Sequence, residues 1–236
     1  MVRRGFSGGY SASRALPFAL SVIAGSTDII GFLGLNGLFT AHITGNIVVL
    51  AAHIVAGDAT IFSYILSVPI FMLVLFLTRL LARALERAGA STLWPLLLLQ
   101  LLSLVAFLVV CVTSGPWTDA DATLAIIAGM CGVAAMAVQN ALVQISLRNT
   151  PSTAVMTTNV THFMLDFAKV VVGGDDTEVA KARNRAMHTL PVIAGFIIGC
   201  GLGACWQAAA GLWSLALPTG LALLAFAMGL AAKEPH

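Results

Sequence analysis

Six stretches of the 236-residue chain are apolar and about twenty residues long, which is the length that a helix needs to cross a membrane. Hydrophobic residues make up 59% of the chain and charged residues only 9%, a balance that is incompatible with an ordinary water-exposed surface. The sequence therefore predicts an all-α, polytopic membrane protein, surrounded by the lipid bilayer and folded as a single membrane domain over 1–236. The stretches run approximately over 15–35, 60–80, 93–113, 122–146, 188–207 and 211–231.

A short polar motif occurs twice between these stretches. Thr40-Ala41-His42-Ile43-Thr44-Gly45-Asn46 is matched 113 positions later by Thr153-Ala154-Val155-Met156-Thr157-Thr158-Asn159. The copies lie in two shorter apolar segments, 38–57 and 152–173, and helix-breaking residues precede both, at Asn36-Gly37 and at Asn149-Thr150-Pro151. Backbone that leaves a helix inside a membrane must be satisfied by protein, water or a ligand. Each motif therefore predicts a short helix that begins within the bilayer and either lines a site or is buried against other helices.

Further landmarks recur in the same order as the motifs. Pro69-Ile70 is matched by Pro191-Val192, and Thr27-Asp28 by Gln139-Asn140. These matches predict an internal repeat with units over about 15–113 and 122–231. With three crossings in each unit, the second unit is inserted upside down relative to the first, an arrangement found in many secondary transporters.

The basic residues favour six crossings over eight. If both motif segments crossed, with the N-terminus inside, Arg79, Arg83, Arg87 and Arg148 would lie outside, against the positive-inside rule. If the motif segments instead enter and leave on the same side, all 12 Lys and Arg residues lie near the cytoplasmic face. We therefore predict six spanning helices plus two short re-entrant or broken motif helices, arranged as an inverted internal repeat, with cytoplasmic N- and C-termini. Length alone leaves open that either motif segment crosses as a strand followed by a helix.

The motif residues suit the binding of a small solute. Thr44 and Thr157 are expected to be helix N-caps, and Gly45 to permit a close approach of backbone or ligand. Two helix N-termini facing each other near the midplane would favour an anion. The alternative is that the same hydroxyls and amides only hold buried helices together. The predicted substrate-binding residues are Asp28, Thr40, His42, Thr44, Gly45, Asn46, Gln139, Asn140, Thr153, Thr157 and Asn159.

Three ionisable residues in the motif segments are candidates for ion or proton coupling, because such residues are costly to bury in lipid. Asp166 and Lys169 lie three residues apart on the second motif helix, where they share a face and can pair. Alternatively, Lys169 reaches out to the cytoplasm. His53 matches Asp166 in the repeat, and a histidine and an acid at related positions suit proton transfer.

Several function classes lack their sequence signatures. No hydrolase, metalloprotease or nucleotide-binding pattern occurs, so we predict no enzyme activity, cofactor or metal. The net charge of +2 gives no indication of nucleic-acid binding. The four cysteines lie in apolar segments without metal-ligand spacing: Cys111, Cys131, Cys200 and Cys205.

Four short segments resemble the recurring motifs of the bacterial YoaK-like family of membrane proteins. They are Gly25-Ser26-Thr27-Asp28, 39–46, Val138-Gln139-Asn140-Ala141 and 153–159. The second motif of that family usually reads Thr-Gly-Asn, and this chain has Thr158 in place of the glycine. The resemblance covers nearly the whole chain and implies a multi-pass protein of the bacterial inner membrane. It implies no substrate, because the family is a domain of unknown function.

These features together favour a small inverted-repeat transporter that binds a small, anionic solute between the two motif helices. A second copy of the chain is the expected partner, since six crossings form a small scaffold. The alternative is a non-transporting membrane protein that stabilises or senses a partner. A membrane enzyme is the third hypothesis and is disfavoured by the missing catalytic patterns.

Overall fold

The computed structural model describes residues 8–57, 61–117, 122–147 and 150–231, with side chains from residue 15 onwards. Within these ranges the chain is helical and contains no strand. Arg148 and Asn149 lie outside the described residues, as do both chain termini, on which part of the predicted topology rests. The α-helices are α1 (Gly8–Gly34), α2 (Ile43–Ala56), α3 (Phe62–Arg87), α4 (Leu93–Ser114), α5 (Thr123–Ser146), α6 (Met156–Val172), α7 (Asp176–Ala210) and α8 (Ala216–Ala231), with a short 3-10 helix (Gly211–Leu215) between the last two.

Five helical stretches in the described part of the chain are long and apolar enough to cross a membrane. The last of them joins α7, the 3-10 helix and α8, and contains both of the last two predicted spanning stretches. Helix α2 is apolar but has only 14 residues, which rise about 21 Å, less than the ~30 Å of a bilayer core. The prediction of a multi-pass helical membrane protein is therefore confirmed. The five stretches are Ala15–Gly34, Phe62–Arg87, Leu93–Ser114, Thr123–Ser146 and Asp176–Ala231.

The two motif helices begin at matching positions. Helix α2 begins at Ile43 and α6 at Met156, which are 113 positions apart, as the motifs are. The preceding residues have similar backbone angles, with φ −91° and ψ 68° at His42, and φ −103° and ψ 84° at Val155. The helix break expected before α2 is confirmed by the left-handed backbone of Asn36, at φ 51°. The polar motifs therefore start two helices in the same local geometry.

The prediction that Thr44 and Thr157 cap these helices is wrong. Both threonines are the second residue of their helix, so they lie inside the first turn. An N-cap must precede the helix and turn its side chain back onto the first free N–H groups. His42 and Val155 hold that position, and neither gives a side-chain capping bond.

Each half of the chain packs largely on the other half. Helix α1 packs against α7 and α8, and in the matching arrangement α5 packs against α3 and α4. Each motif helix packs on the helix that follows it, and α4 meets α8. These pairings are preserved when α1–α4 are exchanged with α5–α8. The halves therefore interlock rather than fold side by side.

Glycines bring α7 into backbone contact with α1. A Cβ added to Gly199 would lie 2.9 Å from the Cα of Val22, and one added to Gly195 would lie 2.9 Å from the carbonyl oxygen of Phe18. Gly201, which lies between Gly199 and Gly203 on α7, faces open space. Gly195 and Gly199 thus form a helix contact within the chain, as small residues provide in membrane bundles.

Helices α1 and α5 cross in opposite directions. At the middle of α1, the carbonyl oxygen of Leu20 accepts a 2.8 Å hydrogen bond from Gln139, which lies towards the end of α5. Towards the end of α1, Gly31 lies against the methyl group of Thr40, which also lies against Gly132, nearer the start of α5. Residue numbers therefore rise along α1 while they fall along α5. This crossing carries both motifs.

Candidate functional site

Asp28 of α1 holds the backbone of the first motif where it leaves the helix. Its Oδ1 atom accepts hydrogen bonds from the backbone nitrogens of Thr40 and Ala41, both at 2.8 Å, and from the hydroxyl of Thr40 at 3.3 Å. Asp28 and Thr40 are both buried. A carboxylate that accepts several N–H bonds satisfies donors that lipid cannot satisfy. Asp28 is thus an anchor for the motif as well as a candidate binding group.

His42 links this anchor to the molecular surface. Its Nδ1 lies 3.6 Å from Oδ2 of Asp28, and its side chain is 39% exposed. Of the predicted site residues in the first motif, Thr44 is also exposed, whereas Asn46 is buried. The accessible part of this motif is therefore the start of α2.

An asparagine in each motif helix binds backbone seven residues earlier. Asn46 brackets Phe39, accepting from its backbone nitrogen at 2.9 Å and donating to its carbonyl oxygen at 2.7 Å. Asn159 donates to the carbonyl oxygen of Ser152 at 2.6 Å. Since residues 39 and 152 are themselves 113 positions apart, the two asparagines perform the same structural task.

Gln139 anchors the second motif as Asp28 anchors the first. Its Nε2 donates to the hydroxyl of Thr153 and to the carbonyl oxygen of Leu20, both at 2.8 Å, and its Oε1 accepts from Gln100 at 2.7 Å. Asn140, also predicted for the site, instead donates to Met136 within its own helix. Gln100, which is fully buried, was not among the predicted site residues. A glutamine in an otherwise apolar helix such as α4 is nevertheless a sequence signal of a polar contact between helices.

The two anchors, Asp28 and Gln139, meet at neighbouring points of α1, because Gln139 of α5 binds Leu20 there. Leu20 and Asp28 are eight residues apart, which is about 12 Å along a helix. The motifs thus lie on one crossing of α1 and α5. No hydrogen bond joins one motif to the other in the described residues, so the predicted binding residues fall into two neighbouring clusters.

The two motifs differ most at the residue that the asparagine binds. The Phe39 ring packs on Phe32, with ring centroids 4.7 Å apart, and covers Gly45, where a Cβ would lie 3.0 Å from the ring. The matching residues of the second motif are Ser152 and Thr158, and both line a cavity of about 850 Å³. The Phe39 ring thus fills the space over Gly45, whereas two small polar side chains leave room at the second motif. This difference explains physically why residue 158 can be threonine where the matching residue 45 is glycine.

The cavity at the second motif is lined mainly by polar and charged side chains from α5, α6 and α7. Its wall includes Asn159, His162, Asp166, Arg185 and His188. Of these, only Asn159 and Asp166 were predicted as site residues. His162 also lies on α6, whereas Arg185 and His188 lie on α7.

Asp166 and Lys169, which the sequence allowed to pair with each other, have separate partners. Arg185 binds Asp166 through Nε, at 3.0 and 3.2 Å from the carboxylate oxygens, and through Nη2, at 2.5 Å. Lys169 binds Glu178 of α7 at 3.1 Å. The charged residues of α6 therefore use partners on α7, which packs against α6 and runs in the opposite direction.

His53, the repeat counterpart of Asp166, lies in a different contact. Its ring stacks on Tyr64 of α3 with centroids 5.1 Å apart. Asp166–Arg185 and His53–Tyr64 thus each join a motif helix to the next helix, one through charges and one through rings. The structure does not bring His53 and Asp166 together.

The comparisons with known proteins concern membrane proteins without an assigned activity. A family model described as "Protein of unknown function (DUF1275)" matches residues 16–228. The UPF0700 transmembrane protein YoaK of Bacillus subtilis (strain 168) is 34% identical over 90 residues, which are 38% of this chain and 38% of that relative. The similarity therefore covers less than half of the relative's length. No solved structure matches the chain.

Proposed function

The chain belongs to the DUF1275 family, which confirms its YoaK-like resemblance, and from this premise we propose that it is a small membrane transporter for a small, anionic solute. The proposal includes six crossings, cytoplasmic termini, the bacterial inner membrane as location and a second copy of the chain as partner. It includes no catalytic step. The solute is expected to bind beside the motif helices.

The arrangement of the halves supports an inverted repeat. Helices α1 and α5 open the two units and run in opposite directions, as the contacts of Leu20 with Gln139 and of Thr40 with Gly31 and Gly132 indicate. The helix pairings of one half recur in the other. Transporters with inverted repeats use such symmetry to exchange the conformations of their halves.

The observation that carries the proposal is the unequal packing of the two motifs. Phe39 covers Gly45 in the first motif, whereas Ser152 and Thr158 border a cavity of about 850 Å³ at the second. A carrier that opens to one side at a time requires this inequality, because a polar site must be accessible at one end and covered at the other. Non-helical backbone at membrane depth is likewise expected where a cavity is lined.

Side-specific thiol labelling tests the proposal. In a variant without the four natural cysteines, Thr158→Cys is treated with an impermeant reagent in intact cells and in inside-out membrane vesicles. A transporter exposes this position to both sides in turn, so labelling is expected in both preparations. Asp176→Cys, at the charged start of α7, is the matched control and is expected to react only in the vesicles. Labelling of Thr158→Cys from one side only would exclude alternating access.

The second candidate function is a membrane protein that stabilises or senses a partner. Helix α2 favours it, because this helix packs mainly on α3 and leaves Val48 69% and Val55 89% exposed. One-sided labelling of Thr158→Cys, together with loss of a co-purifying membrane protein after Val48→Ser and Val55→Ser, would support this function instead. Solute transport by the doubly substituted protein at the unsubstituted rate would argue against it.

A further inference from the structure

We propose that the cavity between α6 and α7 binds the oxyanion group of the solute, a carboxylate or a phosphate, with Arg185 as its principal ligand and Asp166 as the residue that holds the guanidinium group in position. This inference rests on the proposed function and adds the chemistry of the site. It replaces the predicted pair of facing helix N-termini with one cavity and one arginine.

The ion pair leaves part of Arg185 available. Asp166 takes up Nε and one position on Nη2, whereas Nη1 makes no contact with it. The Arg185 side chain is 55% exposed, compared with 12% for Asp166. A guanidinium group carries five N–H donors in one plane and remains charged at any physiological pH. Arg185 can therefore bind a second oxyanion while Asp166 holds its position.

Asp166 makes the cavity unfavourable for a cation. Both of its carboxylate oxygens already accept from Arg185. A cationic solute that approaches Asp166 would also meet the positive charge of the neighbouring guanidinium group, whereas an anionic solute adds a bond to a free donor. The geometry therefore selects for negative charge without requiring the pair to open.

Ser152 supplies a further donor from the motif. Its Oγ accepts from the backbone nitrogen of Val155 at 3.1 Å and from that of Ala154 at 3.4 Å. Because these two bonds occupy the acceptor positions of the oxygen, the hydroxyl hydrogen remains for another acceptor. Oxygen atoms of a bound anion supply such acceptors. Arg185 and Ser152 both line the cavity, and the motif and the charged start of α7 thus contribute to one site.

The first motif offers no equivalent site. Phe39 stands in the position of Ser152, and His53, which contacts Tyr64, stands in that of Asp166. An aromatic ring and a ring stack replace the hydroxyl and the ion pair. The chain therefore carries one oxyanion site, at the second motif, within its described residues.

Protection of Thr158→Cys against a thiol reagent tests the inference. Purified cysteine-free protein carrying Thr158→Cys is labelled in the presence of inorganic phosphate or of acetate, at constant ionic strength set with choline chloride, because salt alone changes charge interactions. Each anion is expected to slow labelling, by about tenfold at ten times the concentration that gives half protection. Choline chloride alone is expected to leave the labelling rate unchanged. Failure of both anions to protect would overturn the inference.

Two variants identify the ligand. Arg185→Gln combined with Asp166→Asn removes both charges together, so no buried charge is left without a partner, and is expected to abolish protection. Arg183→Gln is the matched control, since Arg183 lies two residues away on α7 and borders a different pocket, and is expected to keep it. Unchanged protection in the double variant would overturn the assignment of Arg185. The two-sided labelling of Thr158→Cys is scored separately, so that transport without an oxyanion site and a site without transport give different results.

Discussion

Thr40 is bound twice by Asp28: its backbone N–H and its hydroxyl donate to the same carboxylate oxygen, at 2.8 and 3.3 Å. A buried acid in a membrane segment is commonly taken as a functional group. Here the carboxylate also accepts the hydrogen bonds of backbone N–H groups in the motif. Its removal is therefore expected to lower the stability of the fold, whether or not Asp28 also contacts a solute.

Asp28→Ala is expected to destabilise the protein more than Asp28→Asn. Alanine leaves the N–H groups of Thr40 and Ala41 without an acceptor, at about 1–3 kcal/mol for each, whereas the asparagine oxygen can still accept both. Thermal unfolding of the purified variants in detergent measures the difference. Thr113→Ala, at an exposed residue of α4, is the control. Equal melting temperatures for the two Asp28 variants would contradict this anchor role.

Gly45→Ala is expected to destabilise the first motif by about 1–3 kcal/mol, because the added Cβ lies 3.0 Å from the Phe39 ring. Phe39→Ser in the same chain places the residue type of Ser152 at the matching position, removes the ring that the added Cβ meets, and is expected to recover part of the loss. A double-mutant cycle on unfolding measures the coupling of the two positions. Strict additivity would show that the ring does not determine the need for glycine.

Gly199→Ala is expected to lower the melting temperature, and Gly201→Ala to leave it nearly unchanged. A Cβ at residue 199 meets the Val22 backbone, where neither side can give way, whereas one at residue 201 meets nothing within 4 Å. Overpacking of this kind costs about 1–3 kcal/mol. The two substitutions are chemically identical and two residues apart on one helix, so the comparison isolates the contact between α1 and α7. Equal melting temperatures for the two variants would show that the contact between α1 and α7 does not determine the effect of Gly199→Ala.

Gln139→Leu is expected to destabilise the protein more than Gln100→Leu. Gln139 makes three hydrogen bonds and Gln100 one, and buried hydrogen bonds between membrane helices contribute about 0.6 kcal/mol each. The expected losses are therefore about 2 kcal/mol and less than 1 kcal/mol. The Oε1 of Gln100 has no partner, which further reduces what its removal costs. Unfolding of both variants in the same detergent compares them, and the reverse order would contradict the anchor role of Gln139.

The helices were predictable because their signals are local. Apolar length indicated the spanning stretches, the break at Asn36 and Gly37 indicated the end of α1, and the repeated motif indicated that α2 and α6 begin alike. Such signals lie within a few residues of the feature that they predict.

The contacts of the cavity and of the Gln139 anchor were not predictable, since they join distant parts of the chain. Arg185 is 19 residues from Asp166, and Gln100 is 39 residues from Gln139. The i,i+3 spacing of Asp166 and Lys169 indicated a pair, but the packing of α7 beside α6 supplied each with a different partner. One usable signal was present in the repeat. The first motif combines a large Phe39 with Gly45, whereas the second combines a small Ser152 with the larger Thr158. When one residue becomes smaller as the other becomes larger, the two positions are expected to be in contact.

The crossing of α1 and α7 also bears on how the chain is made. Gly25 of α1 accepts a 3.5 Å bond from Cys200, a residue synthesised 175 positions later. At about 5–20 residues per second, roughly 10–35 s pass before this partner leaves the ribosome. Asp28, in contrast, is bound by the first motif, only 12 residues downstream, so its hydrogen bonds can form long before α7 is synthesised. During biogenesis, α1 can therefore enter the bilayer with its acid already bound, while its glycine-bearing face stays available for a helix not yet translated.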